Sequence, residues 1–141
     1  MIEAFCDGGS RGNPGPAAFG YLVKIAGRVV HKDFGYIGIA TNNFAEYTAV
    51  IKALNWLQKQ YQGHNLKFYL DSQLVVLQLS GLYKVKKSHI RDLVFKIRSL
   101  ETSFGQVSYY YLPRENNKEA DRLVNQALDK HYGVKTILKN F

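Results

Sequence analysis

Apolar and polar positions change period several times along this 141-residue chain. Residues 2–7 (Ile-Glu-Ala-Phe-Cys-Asp) and 66–71 (Leu-Lys-Phe-Tyr-Leu-Asp) are short β-favouring runs, each ending in an acid followed by a turn or helix signal. Residues 17–24 and 28–36 read as two more strands joined at Ala26-Gly27, a hairpin that continues the first strand as an antiparallel meander. Residues 107–112 are the last strand-like run. Elsewhere the period lengthens to that of a helix. From Asn43 to Tyr61, Phe44, Tyr47, Ile51 and Leu54 mark one apolar face, and Val50, Ala53 and Leu57 continue a second stripe. Thr41, Asn42 and Asn43 supply capping side chains just before it. Ser72 caps a short helix through Leu79 that stops at Ser80-Gly81, and Ser88 caps another reaching about Ser103. Asn116 or Asn117 opens a last helix that ends near Lys130. This order of elements predicts a mixed sheet with helices on its faces.

Acids interrupt the apolar pattern at four places. Asp7 and Asp71 fall at the carboxyl ends of strands, the edge where open α/β sheets bind ligands. Glu46 begins the Val50-Ala53-Leu57 stripe, and Asp121 precedes Val124 and Leu128 on a helix whose Ala120, Leu123 and Ala127 also look inward. Burying an isolated carboxylate costs several kcal/mol, roughly, even after relaxation, so these acids need a partner. Hard divalent cations with oxygen ligands meet that need. Mg²⁺ takes only one or two carboxylates of its own, so four acids suit a pair of ions about 3.5–4 Å apart, bridged by a substrate phosphate. Such a pair cleaves or joins phosphodiesters.

Composition narrows the partners. A 46% hydrophobic fraction supports one domain with a real core, read as residues 1–130, followed by a basic, partly apolar tail at 131–141 that is docked or frayed. No apolar run approaches the roughly 18 residues of a membrane span, and Met1-Ile2-Glu3 opens directly into a strand without a signal-peptide pattern, so a soluble cytoplasmic protein is expected. Cys6 is the single cysteine, which excludes an internal disulfide or thiolate cluster and reads as a buried thiol. Nineteen basic residues against eleven acidic ones give a net charge of +8. Six of the bases, Lys84, Lys86, Lys87, Arg91, Lys96 and Arg98, lie between Gly81 and Leu100 beside one acid, Asp92. A polyanion, nucleic acid before membrane, is the expected partner. Trp56 and Tyr109-Tyr110-Tyr111 read as core and sheet-surface residues, and His31, His64, His89 and His131 have no ligand spacing.

Four ordered blocks carry a resemblance. Residues 7–16 (Asp-Gly-Gly-Ser-Arg-Gly-Asn-Pro-Gly-Pro), 41–46 (Thr-Asn-Asn-Phe-Ala-Glu), 71–73 (Asp-Ser-Gln) and 116–121 (Asn-Asn-Lys-Glu-Ala-Asp) resemble, in order and spacing, the blocks of type 1 ribonuclease H. The resemblance covers about residues 1 to 130. It implies a ribonuclease H-like α/β fold: a five-stranded mixed sheet, three antiparallel strands then parallel ones, flanked by helices. It also implies an endonuclease that hydrolyses the RNA strand of an RNA/DNA hybrid with Mg²⁺ or Mn²⁺, leaving a 5′-phosphate and a 3′-hydroxyl. Double-stranded RNA, whose A-form shape partly mimics the hybrid, is a further candidate substrate. By the same resemblance Asp7 bridges two ions, Asp121 helps hold the ion that activates water, and Glu46 and Asp71 hold the ion near the leaving oxygen. Glu46 also contacts a ribose 2′-hydroxyl. Gly8, Ser10, Asn13, Thr41, Asn42, Asn43, Ser72 and Gln73 match substrate-binding positions, several of them amides that line the minor groove of the hybrid.

The chain departs from that family in two stretches. The Trp-rich basic protrusion of longer members is compressed to residues 79–87, without tryptophan, as in the compact branch sometimes called archaeal-type. Its grip on substrate then falls to Tyr83, Lys84, Lys86, Lys87 and the following helix. The loop histidine that many members carry before the last acid is missing, and Arg114 or Glu115 is expected to serve in its place. A catalytically weak hybrid-binding module and a reverse-transcriptase-associated domain are the alternatives. The presence of all four acids argues against the first, and the start and short tail favour a stand-alone, monomeric protein over the second.

Overall fold

The computed structural model describes the backbone of residues 1–139 and the side chains of residues 1–133. Five strands form one sheet: β1 (Ile2–Ser10), β2 (Gly15–Ile25), β3 (Arg28–Ala40), β4 (Leu66–Leu70) and β5 (Val107–Tyr111). Their spatial order is β3-β2-β1-β4-β5. The β1–β2 and β2–β3 pairs are antiparallel, and the β1–β4 and β4–β5 pairs are parallel. The β2–β3 hairpin turns at Ala26 (φ 52°) and Gly27 (φ 79°), both in the left-handed region that a two-residue hairpin of this twist requires.

Four helices cover the sheet: α1 (Asn42–Gln58), α2 (Gln73–Leu79), α3 (Ser88–Glu101) and α4 (Lys118–Lys139), with one 3₁₀ turn at Arg114–Asn116. The main core lies between one face of the sheet and α1, with α2 and α3 beside it. It holds Ala4, Cys6, Tyr21, Val23, Phe68 and Leu70 from the strands, Tyr47, Val50, Leu54 and Leu57 from α1, and Ile97 from α3. On the opposite face Ala120, Leu123, Val124, Ala127 and Leu128 of α4 pack on Ala18 and Leu22 of β2. Strand β2 is therefore buried on both sides, which is why residues 17–23 are apolar almost without a break.

Several boundaries differ from the sequence reading. Asp7 ends only the parallel ladder, whose last pair is Cys6 with Leu70. Strand β1 itself continues to Ser10, because residues 7–10 keep their antiparallel partners on β2. Ser88 does not cap α3: Lys87 holds the cap position without a side-chain bond, its carbonyl accepting from Ile90 and Arg91 at 3.1 and 3.0 Å. As expected, the last helix opens after Asn117, whose carbonyl accepts from Asp121 N–H at 3.1 Å, but it does not stop near Lys130 and runs on to Lys139. Tertiary contacts support the added turns. Asp129 pairs with Arg11 at 2.6 Å, the guanidinium of Arg11 stands over the Tyr132 ring, and His131 stacks on Tyr36 of β3 with centroids 3.8 Å apart. The remaining residues of the predicted tail, 140 and 141, lie outside the described residues.

The other singled-out aromatic and histidine positions are largely structural. His31 receives or gives a hydrogen bond at Tyr21 Oη (3.2 Å) and stacks on Trp56 at 4.1 Å. His64 meets Tyr61 edge-on. Tyr109 points into the core and donates to Glu101 Oε2 at 2.6 Å, while Tyr110 and Tyr111 are exposed.

Candidate active site

The parallel register sets Asp7 and Asp71 side by side, one residue past the Cys6–Leu70 pair at the carboxyl edge of the sheet. Strand β4 stops there because Ser72 caps α2, its Oγ accepting from Val75 N–H at 3.3 Å. Glu46 arrives from α1. Thr41 caps that helix by accepting from Phe44 N–H at 3.2 Å, and the first turn presses directly on β1 at Gly8. A Cβ on Gly8 would lie 2.1 Å from the Ala45 carbonyl carbon, so only glycine lets helix and strand approach this closely. The Gly8 N–H then donates to Glu46 Oε1 at 3.1 Å and to Asp7 Oδ1 at 2.9 Å.

Asp7, Glu46 and Asp71 each present a carboxylate oxygen within 4.8 Å of the other two. Asp7 is 6% exposed and Glu46 4%. Glu46 Oε2 is buried with no hydrogen-bond partner among the described residues. Burial, with Asp71 and Asp121 adding like charge, pushes the Asp7 carboxyl up to about 7. Burial and the Asp7 charge raise Glu46 well above its ordinary range, and burial raises Asp71. Hard oxygen donors at this spacing, those of Asp7 and Glu46 buried and one of them orphaned, fit a divalent cation. Asp121, on the first turn of α4, stands outside that tight trio but lines the same cleft.

The cleft has a volume of about 480 Å³. Of the residues expected to bind substrate, Gly8, Ser10, Asn42, Asn43 and Ser72 line it, and Asn13, Thr41 and Gln73 do not. Asn13 supports from behind, its Oδ1 accepting from Asn42 N–H at 3.0 Å, while Asn42 Oδ1 accepts from Ser10 N–H at 2.8 Å. Thr41 is a helix cap, and Gln73 is exposed at the start of α2. Lys84, Lys86 and Lys87 lie in a neighbouring groove of about 350 Å³ with Leu74, Gln78 and Tyr83, and Asn43 lines both hollows. Arg114 lines the cleft with its side chain 79% exposed and Nη2 3.7 Å from Asp121 Oδ1; Glu115 turns to a separate pocket beside Phe5 and Leu22.

Sequence reasoning missed two contributors. Asn125 approaches the Asp121 carboxylate at 3.5 Å, one helical turn on, a spacing that could have been read from the sequence. Asn117 does stand at the cap position of α4, its carbonyl accepting from Asp121 N–H, but its buried side chain reaches β1 and Asp71. No local pattern signals that contact.

A five-stranded sheet of this order, with acids gathered at the carboxyl edge of β1 and β4 and on the facing helix, defines a ribonuclease H fold with a carboxylate centre. Comparison with known proteins agrees. The model of the family described as Reverse transcriptase-like matches residues 5–127. Ribonuclease HI of Halobacterium salinarum is 42% identical over 129 residues, covering 91% of this chain and 64% of that protein. A bifunctional protein of Mycobacterium tuberculosis is 42% identical over 131 residues, covering 92% of this chain and 35% of that one. The crystal structure of LC11-RNase H1 in complex with an RNA/DNA hybrid superimposes with a TM-score of 0.90 at 38% identity, covering 94% of this chain and 99% of that one. The chain belongs to the Reverse transcriptase-like family and is a type 1 ribonuclease H domain. It spans about a third to two-thirds of the length of these curated relatives. No helix among the described residues is long and apolar enough to cross a membrane.

Proposed function

We propose that this domain is a metal-dependent endonuclease that hydrolyses the RNA strand of RNA/DNA hybrids, leaving 5′-phosphate and 3′-hydroxyl ends. The observation that carries this reading is the trio of Asp7, Glu46 and Asp71 with its orphaned Glu46 Oε2, at the floor of an open cleft. Asp7, Glu46, Asp71 and Asp121 would hold two divalent cations, Mg²⁺ or Mn²⁺, which when bound would lower the pKa of a water and neutralise charge on the departing oxygen. The chain's own groups do the rest. Asp7 would be shared between the ions, and the Gly8 amide, donating to both carboxylates, keeps Glu46 and Asp7 in register. Asn42, Asn43 and Ser10 offer short polar groups to ribose hydroxyls and base edges in the minor groove. Lys84, Lys86 and Lys87 take the phosphates that run on past Asn43. Arg114, 3.7 Å from Asp121 Oδ1 in the cleft lining, would serve in place of the loop histidine. Duplex RNA, sharing A-form geometry and 2′-hydroxyls, belongs to the expected substrate range.

The test is cleavage of a labelled hybrid with Mg²⁺, Mn²⁺ or EDTA, beside double-stranded RNA and DNA, for the unsubstituted chain and Asp7→Asn. Cutting confined to the RNA strand, dependent on metal and reduced by at least about 100-fold in the variant, is expected, since even outer-shell losses at metal sites cost roughly 10–100-fold. Tight hybrid binding without cutting under any metal would instead define a binding module.

A further inference from the structure

Asn117 lies just ahead of α4, is 2% exposed, and turns its side chain away from its own helix. Its Nδ2 donates to the main-chain carbonyl of Cys6 at 2.9 Å and to Asp71 Oδ2 at 3.4 Å. Its own carbonyl accepts from Asp121 N–H at 3.1 Å, a bond of the first turn of α4. One residue thus touches the backbone immediately before Asp7, the carboxylate of Asp71 and the backbone of Asp121.

The sheet explains why Asp7 and Asp71 are neighbours, because β1 and β4 pair directly. It does not explain where Asp121 falls. Helix α4 packs on the opposite face through Ala120, Leu123 and Val124, seated so closely on Gly20 that a Cβ there would lie 2.7 Å from Leu123 Cβ, but this contact is made with β2 and not with the strands that carry Asp7 and Asp71. The Asn117 amide adds a polar tie from the start of α4 directly to the acid-bearing strands. Its two hydrogens match two acceptors, the Cys6 carbonyl and Asp71, that an aspartate would repel and an alanine would leave unpaired.

We propose that Asn117 is a positioning residue that sets Asp71 and Asp121 at their working separation and so determines the affinity of the site for divalent cations. The inference rests on the reading of the acids as metal ligands. Partners of this kind orient ligands at metal sites, and their removal typically costs roughly 10–100-fold in affinity or activity.

The experiment is calorimetric titration of Mn²⁺ into the full chain without nucleic acid, for the unsubstituted protein, Asn117→Ala, Asn117→Ser and Asp7→Asn, with hybrid cleavage kinetics alongside. Asn117→Ala is expected to weaken the Mn²⁺ Kd by about 10-fold or more and to lower kcat, while KM for the hybrid stays within about twofold because the substrate-contacting residues are untouched. Asn117→Ser, which keeps one donor, should fall between, and decides by the same measure if the alanine variant does not fold. A variant that loses thermal stability but keeps its Mn²⁺ Kd within about twofold would make Asn117 a structural pin only and overturn the proposal. Absence of Mn²⁺ binding by the unsubstituted chain would overturn the metal reading itself, and this proposal with it.

Discussion

Asp7 and Glu46 are carboxylates held out of water, so without a cation their charges oppose each other and the fold. The consequence is a measurable pH dependence. Unfolded, Asp7 titrates near its ordinary 3.8; folded, burial moves it to about 7. Between those values the folded state holds the extra proton, so this contribution favours folding at low pH and is lost as pH rises through about 7. Thermal unfolding of the metal-free protein, followed from pH 5 to 8, should show Tm falling across that window. Asp7→Asn, which removes the charge at nearly constant volume, should flatten the curve and raise Tm at pH 8. Mg²⁺ should also raise Tm at pH 8, where the acids are free to ionise.

At the scale of elements, the contact between α1 and β1 matters most, because it delivers Glu46 to Asp7. Gly8→Ala would drive a Cβ to within 2.1 Å of the Ala45 backbone carbon, which no side-chain rotation relieves. We expect a loss of at least about 3 kcal/mol in denaturant unfolding, the upper range for overpacking. The folded fraction should cleave more slowly, because helix and carboxylate move together. If Gly8→Ala kept normal stability and turnover, the close approach would not be what holds the site. Helix α4 is the second element whose length matters: it continues past the match to the family, and residues 129–132 are tied to the β1–β2 loop by Arg11 and to β3 by Tyr36.

For the whole molecule the relevant quantity is charge. With +8 overall and Lys84, Lys86 and Lys87 grouped beside the cleft, hybrid binding should weaken with salt. Replacing those three lysines by alanine should lower the slope of log K against log[salt] by up to about 2–3, at roughly 0.7–0.9 for each phosphate no longer neutralised. Binding by the Asp7→Asn protein across salt concentrations measures this without cleavage. An unchanged slope would put the phosphate path elsewhere.

The sequence by itself determined the elements and the faces they bury. Side-chain period is a local property, and an acid that breaks an apolar stripe or ends a strand shows there as an anomaly; Asp7, Glu46, Asp71 and Asp121 all announced themselves in this way. Local chemistry also sufficed for the Ala26-Gly27 turn and for the Thr41 and Ser72 caps. Only the tertiary structure decided what depends on partners distant in sequence. Strand β1 outlasts Asp7 because β2 goes on pairing with it, and α4 runs on past Lys130, where Arg11 and Tyr36 meet Tyr132 and His131. Asn13 turns its Oδ1 to Asn42 N–H at the start of α1, 29 residues on. Asn117 reads as a helix cap, and only the fold brings Cys6, 111 residues earlier, against its amide. A hydrogen bond of that span leaves no periodic trace in the sequence, because its two ends share no local pattern.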